Sequence, residues 1–485
     1  MTLKEHVIKG VKWSGLARGS QQVLQFIISV ILARLLMPED FGILAMAVVF
    51  TGFIAIFNEF GIGSAIIQKQ DLSDDDLSSI FWFNIFIGLI ATLITIAISP
   101  LIAAFYNRDI LIPILSLLAL GFLFNSFYTI QRSLLTKEMK FEKIAMVEIA
   151  STAIGGIVAI SLAYRGYGVW SLVWQGLSAT IIIAFLFWVT SDWRPMFKFN
   201  YNSIKSIMGF SLNLLGFSTV NYFSRNADYL LIGKFLGAEP LGYYTLAYKL
   251  MIYPLQNISD VITRVLFPAF STIQEDDARF RNAYLRSTKF IAFVTFPIMF
   301  GLFAVADEFI LTLFGSKWEH TIFLFKVLCF VGMLQSIGTT VGQIYLAKGK
   351  TDWMFRWGVF SAILIVCAIA FGLLWGIKGV AISYAIAALI LAYPNFAIPF
   401  RLIELKVKTF VQNIKIEFLT SVIMVIGVLI SVMIQRNMSI DPAIILLSNI
   451  LLGLGIYILI TKRINSSALS EIQGMVWGKK GKQLT

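Results

Sequence analysis

The chain is built from long apolar stretches separated by short polar connections. Runs of about 20 apolar residues can cross the hydrocarbon core of a bilayer as helices, because each residue adds about 1.5 Å. There are fourteen such runs, at roughly 11–36, 41–67, 77–104, 110–135, 144–164, 168–190, 206–236, 241–272, 288–314, 321–347, 353–376, 379–400, 416–434 and 442–461. The pattern predicts an all-α membrane protein with fourteen transmembrane helices.

Composition excludes a soluble globular protein. Hydrophobic residues make up 58% of the 485 residues and charged residues only 14%, against about 25% charged in soluble domains. The net charge of +12 would suit a nucleic-acid binder only if longer connections displayed it. No nucleic-acid partner is expected, and the charge is interpreted against a membrane.

Lysine and arginine alternate between the two sides of the predicted membrane. The connections on the side of the N-terminus, together with both terminal segments, hold 27 basic residues, and those on the other side hold 7. Basic residues concentrate in cytoplasmic loops. Both termini are therefore predicted to be cytoplasmic, in a multi-pass membrane protein.

Part of the sequence repeats at an offset of 200. Residues 33–42 (ARLLMPEDFG) return in altered form as residues 233–242 (GKFLGAEPLG), with Leu, Glu and Gly in register, and Ala47 matches Ala247. A weaker echo pairs residues 168–169 with residues 379–380 at an offset of 211. The repeats predict two copies of one helical bundle.

Six helices in each copy would give both copies the same orientation in the membrane. The predicted domains are an N-terminal six-helix lobe at 1–200, a C-terminal six-helix lobe at 201–405, helices thirteen and fourteen at 406–465, and a basic tail at 466–485 that rests on anionic lipid. Two such lobes with a cleft between them form a transporter architecture, because rocking exposes the cleft to each side in turn.

Polar residues recur on the helix that opens each bundle. A charge at the bilayer centre costs at least about 2.5 kcal/mol, so it must face the bundle interior, snorkel or have a partner. The first helix carries a stripe with helical spacing at Ser14, Arg18, Gln22, Gln25 and Ser29. The offset places Ser218, Tyr222, Arg225 and Tyr229 at equivalent positions, with Asn221 and Asp228 close by.

These stripes predict a site for an anionic head group, because arginine forks match the geometry of phosphate. The candidate substrate-binding residues are Arg18, Gln22, Gln25, Asn221, Arg225 and Arg264. Other interpretations stay open. Arg18 would also snorkel to lipid phosphates, Arg225 would also pair with Asp228, and the i,i+4 pair of Asp260 with Arg264 suits packing as well as function.

Three carboxylates are candidates for ion coupling: Glu59, Asp228 and Asp260. Glu59 has no basic neighbour one turn away, and a partly buried carboxylate has a raised proton affinity. The alternative is a structural carboxylate bonded to another helix. Catalytic residues, metal ligands and cofactors are not predicted, because no phosphate-binding glycine loop or metal-ligand spacing occurs.

Residues 33–42, continued by 44–47 (LAMA) and closed by 59–68 (EFGIGSAIIQ), resemble the bacterial polysaccharide exporters of the multidrug/oligosaccharidyl-lipid/polysaccharide superfamily. The colanic acid and teichuronic acid exporters are the most similar branch. The helix pattern extends the resemblance over nearly the whole chain, although the later helices match only in pattern.

The resemblance implies a flippase, not an enzyme. It implies two lobes around a cationic cavity, and transfer of an undecaprenyl-pyrophosphate-linked oligosaccharide to the outer leaflet for lipopolysaccharide or exopolysaccharide export. Arg18 and Arg225 fit the expected pyrophosphate contacts. Membrane lipids are the other expected partners, a monomer is expected, and proton or sodium coupling is permitted but not required.

Two alternatives remain at this stage. Multidrug efflux in the same superfamily would favour acidic residues for cationic compounds, and the basic stripes argue against it. A membrane glycosyltransferase or polymerase would need catalytic residues on a sizeable outer loop, and the predicted outer loops have only a few residues.

Overall fold

The computed structural model describes residues 3–59, 62–69, 71–201, 204, 222–223, 225–273 and 275–464. Side chains are described within these ranges except at 3–14, 16–18, 59, 64, 256–269 and 271–272. The described residues form helices and connections without a β-strand. The all-α class predicted from the apolar runs is confirmed.

The first half of the chain contains eight helices in the described ranges. They are α1 (Leu3–Leu35), α2 (Pro38–Glu59), α3 (Ile62–Gln68), α4 (Asp74–Tyr106), α5 (Leu111–Lys137), α6 (Phe141–Tyr164), α7 (Val169–Thr190) and α8 (residues 225–235). The predicted second run, 41–67, thus covers two helices, α2 and α3.

Nine further helices follow, with short 3₁₀ turns between some of them. They are α9 (Ala238–Thr272), α10 (Asp277–Ala304), α11 (Ala306–Leu313), α12 (Glu319–Gly338), α13 (Val341–Ala347), α14 (Thr351–Gly372), α15 (Gly376–Phe400), α16 (Val407–Asn437) and α17 (Pro442–Ile464).

Ten segments of the described chain are long and apolar enough to span a membrane. One of them, Thr351–Ile403, contains both α14 and α15, and another, Ser316–Ala347, contains both α12 and α13. The chain is therefore a multi-pass membrane protein, and the count of fourteen crossings stays a prediction.

Glycines and buried hydroxyls hold neighbouring helices together in the first unit. A Cβ on Gly156 of α6 would lie 2.3 Å from the end of the Ile28 side chain of α1, so glycine lets Ile28 pack closely against α6. Thr92 of α4 donates a 2.9 Å hydrogen bond to the carbonyl oxygen of Ala119 in α5. Small residues and interhelical hydrogen bonds are the usual basis of packing in lipid, where helix association gains little from burying apolar surface.

Two compact units divide the chain, residues 1–242 and residues 243–485. In the second unit, aromatic side chains join three helices: the Tyr284 ring of α10 lies 5.6 Å from that of Phe400, and Phe410 of α16 lies 5.2 Å from Phe400. The start of α16 is thereby packed into the core of this unit. The domain boundaries set from the repeat remain predictions.

The repeat at an offset of 200 has a geometric counterpart. In the first unit, the N-terminus of α2 crosses the N-terminus of α9 so closely that a Cβ on Gly42 would stand 1.7 Å from the carbonyl oxygen of Ala238. A Cβ on Gly242 would stand 1.9 Å from the carbonyl oxygen of Pro38. Ala47 and Ala247, also equivalent, are both fully buried.

The weaker echo does not pair equivalent positions. Gly168 precedes α7 with φ +54°, whereas Gly379 lies inside α15 and packs against the backbone of Gly372. The residue that resembles Gly168 is Gly376, which has φ +67° and begins α15. Positive φ at a helix start favours glycine for its lack of a Cβ, and this explains why the pattern recurs a few residues away from the proposed register.

Candidate functional site

Helix α1 is held in the first unit by α6. The Gln21 amide donates a 3.3 Å hydrogen bond to the Thr152 hydroxyl, and Ile28 packs against Gly156. Among the predicted stripe residues, Gln22 is half-buried, Gln25 is exposed and Ser29 is buried. The contacts to α6 thus leave the Gln25 amide accessible to a ligand.

The segment around α8 is fixed to α2. The Tyr222 hydroxyl donates a 2.7 Å hydrogen bond to the carbonyl oxygen of Val49. Gly52 makes this possible, because a Cβ there would lie 2.4 Å from the Tyr222 oxygen. Phe53 and Phe223 pack with ring centroids 4.8 Å apart. This anchoring sets the position of the charged residues that follow.

Arg225 and Asp228 lie one turn apart on α8 and differ in exposure. Arg225 is exposed, whereas Asp228 is 6% exposed and accepts a 2.9 Å hydrogen bond from the backbone N–H of Tyr229. An exposed guanidinium retains free N–H donors for a phosphate. At the other end of α8, Lys234 donates to the carbonyl oxygen of Phe105, so this lysine has a structural role.

The side chains of the remaining predicted site residues lie outside the described part of the structure. Arg18 and Glu59 belong to α1 and α2 by backbone, and Asp260 and Arg264 belong to α9, but their side chains fall outside the described set. Asn221 is outside the described residues altogether. Their proposed roles stay predictions, as does the meeting of the α1 and α8 stripes.

Glu148, a carboxylate on α6, has a partner on the neighbouring helix. Its Oε1 lies 2.8 Å from Arg132 Nη2, which joins α6 to α5. Helical spacing within α6 cannot reveal a partner on α5. The pair is a structural contact at one end of the first unit.

A four-residue charge cluster in the second unit was not predicted as a group. Asp307 Oδ2 accepts hydrogen bonds from Lys326 Nζ at 2.6 Å and from Arg436 Nη2 at 2.8 Å. Arg436 Nε donates to Glu308 Oε1 at 2.6 Å, and Glu308 is buried. The sequence could have indicated this cluster through Lys326, because a cation inside an apolar run needs a partner.

Asp307 lies in α11, after the span that ends at Ala304. Partial burial raises the pKa of its carboxyl, but the hydrogen bonds and charges of Lys326 and Arg436 outweigh that effect. The pKa of Asp307 is therefore lower than its ordinary value of 3.8. Asp307 therefore stays ionised at neutral pH, and the cluster ties α11, α12 and α16 together.

A second unpredicted pair lies deeper in the second unit. Glu417 of α16 has no exposed side-chain surface, and its Oε1 lies 3.8 Å from Lys289 Nζ of α10. Nearby, the Asn413 amide donates a 2.8 Å hydrogen bond to the Leu285 carbonyl oxygen. Together these contacts attach α16 to α10 away from the Arg436 end. Within the described residues, no group of three potential metal ligands occurs.

Known proteins show the same fold. The structure of the lipid II flippase MurJ in an inward closed conformation superposes with a TM-score of 0.76 at 17% identity, covering 94% of this chain and 99% of that chain. An inward-facing multidrug resistance MATE family transporter of the MOP superfamily superposes with a TM-score of 0.63 at 16% identity. The match covers 79% of this chain and 94% of that chain.

Sequence relatives lie in polysaccharide biosynthesis. The lipopolysaccharide biosynthesis protein WzxC of Escherichia coli K12 is 30% identical over 397 residues, which is 80% of each chain. The teichuronic acid biosynthesis protein TuaB of Bacillus subtilis is 28% identical over 440 residues, 87% of this chain and 88% of TuaB. Residues 31–323 match the family described as polysaccharide biosynthesis protein. The chain therefore belongs to that family, as its opening signature predicted, and it has the fold of the lipid II flippase MurJ.

Proposed function

We propose that this protein flips an undecaprenyl-pyrophosphate-linked oligosaccharide from the cytoplasmic to the outer leaflet by alternating access. The observation that carries the proposal is the combination of a polysaccharide biosynthesis family with the fold of a lipid II flippase. The names of WzxC and TuaB support an assembly role in surface polysaccharides. The 27 to 7 distribution of basic residues supports a cytoplasmic location for both termini.

The pyrophosphate would bind the arginines of the polar stripes. Arg225 is exposed on α8, and Arg18 occupies the equivalent helix of the first bundle. Guanidinium forks bind phosphate oxygens in a bidentate way, which lysine cannot do. Gln22, Gln25 and Asn221 would supply hydrogen bonds to the bridging oxygens or the first sugar, and Arg264 would add a third cation.

The membrane potential can drive this export. A pyrophosphate diester carries about two negative charges, and moving each outward across an inside-negative potential yields roughly 2.3 kcal/mol per 100 mV. Coupling to a proton or sodium ion would add to this energy. Glu59, Asp228 and Asp260 are the candidate coupling carboxylates, and Asp228 is the one whose burial is described, at 6% exposure.

A binding measurement tests the proposal. Undecaprenyl pyrophosphate should raise the melting temperature of the purified protein, and a cationic dye should not. Arg225→Ala should remove the shift, whereas Arg165→Ala, an exposed arginine after α6, should keep it. Stabilisation by the dye with none by the pyrophosphate lipid would favour multidrug efflux instead.

A further inference from the structure

The second unit contains a cavity of about 370 Å³ between the ends of α10, α12 and α16. This volume falls within the range of about 300–1,000 Å³ that is usual for small-molecule sites. Its walls are mostly apolar and include Phe303, Leu429, Val432 and Met433. Asp307, Lys326 and Arg436 line it as well. The cavity is therefore amphipathic.

Part of the cavity wall belongs to a face of α16 that is exposed. Met433, one of its lining residues, is 69% exposed, and the neighbouring Ile430 and Ile434 are also exposed. In a helix long enough to span a membrane, exposed side chains of this kind contact acyl chains. A ligand that enters from this side arrives from the bilayer.

The charge cluster beside the cavity has no net charge and retains free hydrogen-bonding capacity; three of its four members line the cavity, and Glu308 does not. Two cations, Lys326 and Arg436, neighbour two carboxylates, Asp307 and Glu308. Lys326 and Arg436 are 32% and 47% exposed. Each has more N–H groups than its bonds to the carboxylates use, since lysine has three donors and arginine five. Asp307 also keeps Oδ1, which takes no part in these contacts.

We propose that this cavity holds one phospholipid with a primary-amine head group, of the phosphatidylethanolamine type. The phosphate accepts hydrogen bonds from Arg436 and Lys326, the ammonium donates to Asp307, and one acyl chain fills the space beside Leu429 and Val432. A zwitterionic head group matches the neutral cluster, whereas a head group with a net negative charge meets repulsion from Asp307. The site is independent of the proposed transport function.

Delipidated full-length protein in detergent provides the test, with bound lipid detected by native mass spectrometry and stability by thermal unfolding. Phosphatidylethanolamine should raise the melting temperature most. Phosphatidylcholine, whose ammonium has no N–H, should have a smaller effect, phosphatidylglycerol a smaller one still, and diacylglycerol none.

Two variants locate the site. Leu429→Trp fills the cavity from its half-exposed rim, and Lys326→Gln removes a phosphate donor while leaving the contact of Arg436 with Asp307. Both should lose at least half of the shift caused by phosphatidylethanolamine. Lys378→Gln is the matched control, because Lys378 lies over the Phe323 ring outside the cavity. An equal shift from phosphatidylglycerol or diacylglycerol, or an unchanged shift in Leu429→Trp, would overturn the proposal.

Discussion

Gly42 and Gly242 make reciprocal contacts. A Cβ on Gly42 would stand 1.7 Å from the Ala238 carbonyl oxygen, and a Cβ on Gly242 would stand 1.9 Å from the Pro38 carbonyl oxygen. Pro38 and Ala238 are themselves equivalent at the offset of 200, so each glycine meets the counterpart of the residue that the other glycine meets. This reciprocity explains why glycine recurs at both positions of the repeat.

Replacing either glycine by alanine should destabilise the protein. The obstacles are backbone atoms, which cannot rotate away, so Gly42→Ala and Gly242→Ala should each cost about 1–3 kcal/mol, as overpacked substitutions do. The measurement is thermal unfolding in detergent. Gly176→Ala in α7 is the control, because a Cβ there meets nothing within 4 Å. If the melting temperature of Gly42→Ala equalled that of Gly176→Ala, the close crossing of α2 and α9 would be wrong.

The sequence predicted the positions of most helices, but several predicted runs stop short of the true ends. The run at 77–104 corresponds to α4, Asp74–Tyr106, which Ser73 caps. The Ser73 hydroxyl accepts a 3.2 Å hydrogen bond from the Asp76 N–H, and the Ser73 N–H donates a 3.0 Å hydrogen bond to the Asp76 carboxylate. Capping residues are polar and lie outside any apolar run. Hydropathy marks the part of a helix that is in lipid, not the whole helix.

The sequence predicts that intramembrane charges have partners, but it does not predict which residues those partners are. The cost of a charge in the membrane requires a partner for Lys326, yet its partner Asp307 lies 19 residues away, and Arg436 joins from α16. Lys289 and Glu417 are likewise on different helices. Spacing along one helix reveals only i,i+3 and i,i+4 partners. Partners on other helices follow from packing, which a single sequence does not specify.

The Asp307 cluster should make stability depend on pH in the acid range. Because the pKa of Asp307 in the folded protein is lower than 3.8, its stabilisation is complete above that ordinary value and is lost as the pH falls through the folded pKa. Asp307→Asn should therefore have a lower melting temperature than wild type at neutral pH. The loss of unfolding free energy should be roughly 1.5–3 kcal/mol, the contribution of a hydrogen bond to a charged group. The melting temperatures of the two proteins should become equal only below about pH 4. A difference that vanishes near pH 6 would contradict this assignment.

The buried pair of Lys289 and Glu417 should behave as a coupled unit. Lys289→Met leaves the fully buried Glu417 side chain without its lysine and should cost about 3–5 kcal/mol, the usual penalty for breaking a buried pair. Adding Glu417→Gln to that variant should recover much of the loss, because a neutral amide costs less to bury than a carboxylate. Chemical unfolding of the single and double variants measures the coupling. Lys415→Met, at an exposed site on α16, is the control and should leave the free energy of unfolding nearly unchanged. If the losses caused by Lys289→Met and Glu417→Gln simply added in the double variant, the coupling would be refuted.

The charge distribution predicts which connections face the cytoplasm. In a variant whose two cysteines, Cys329 and Cys367, are replaced by serine, a membrane-impermeant maleimide should label Lys378→Cys from outside intact cells. Lys140→Cys and Arg279→Cys should react only after the membrane is permeabilised, because they lie on the side with 27 basic residues. Labelling of either one in intact cells would invert the topology.

The rate of lipid-linked oligosaccharide flipping in proteoliposomes tests the central claim most directly. The protein is reconstituted with an undecaprenyl-pyrophosphate-linked oligosaccharide, and its appearance in the opposite leaflet is followed with an impermeant glycosidase. We predict rapid flipping by wild type, slower flipping when Arg18 and Arg225 are replaced by lysine, which keeps charge without the fork, and slowest flipping with alanine. Flipping at the wild-type rate by the double alanine variant, or none above protein-free liposomes by wild type, would contradict the account.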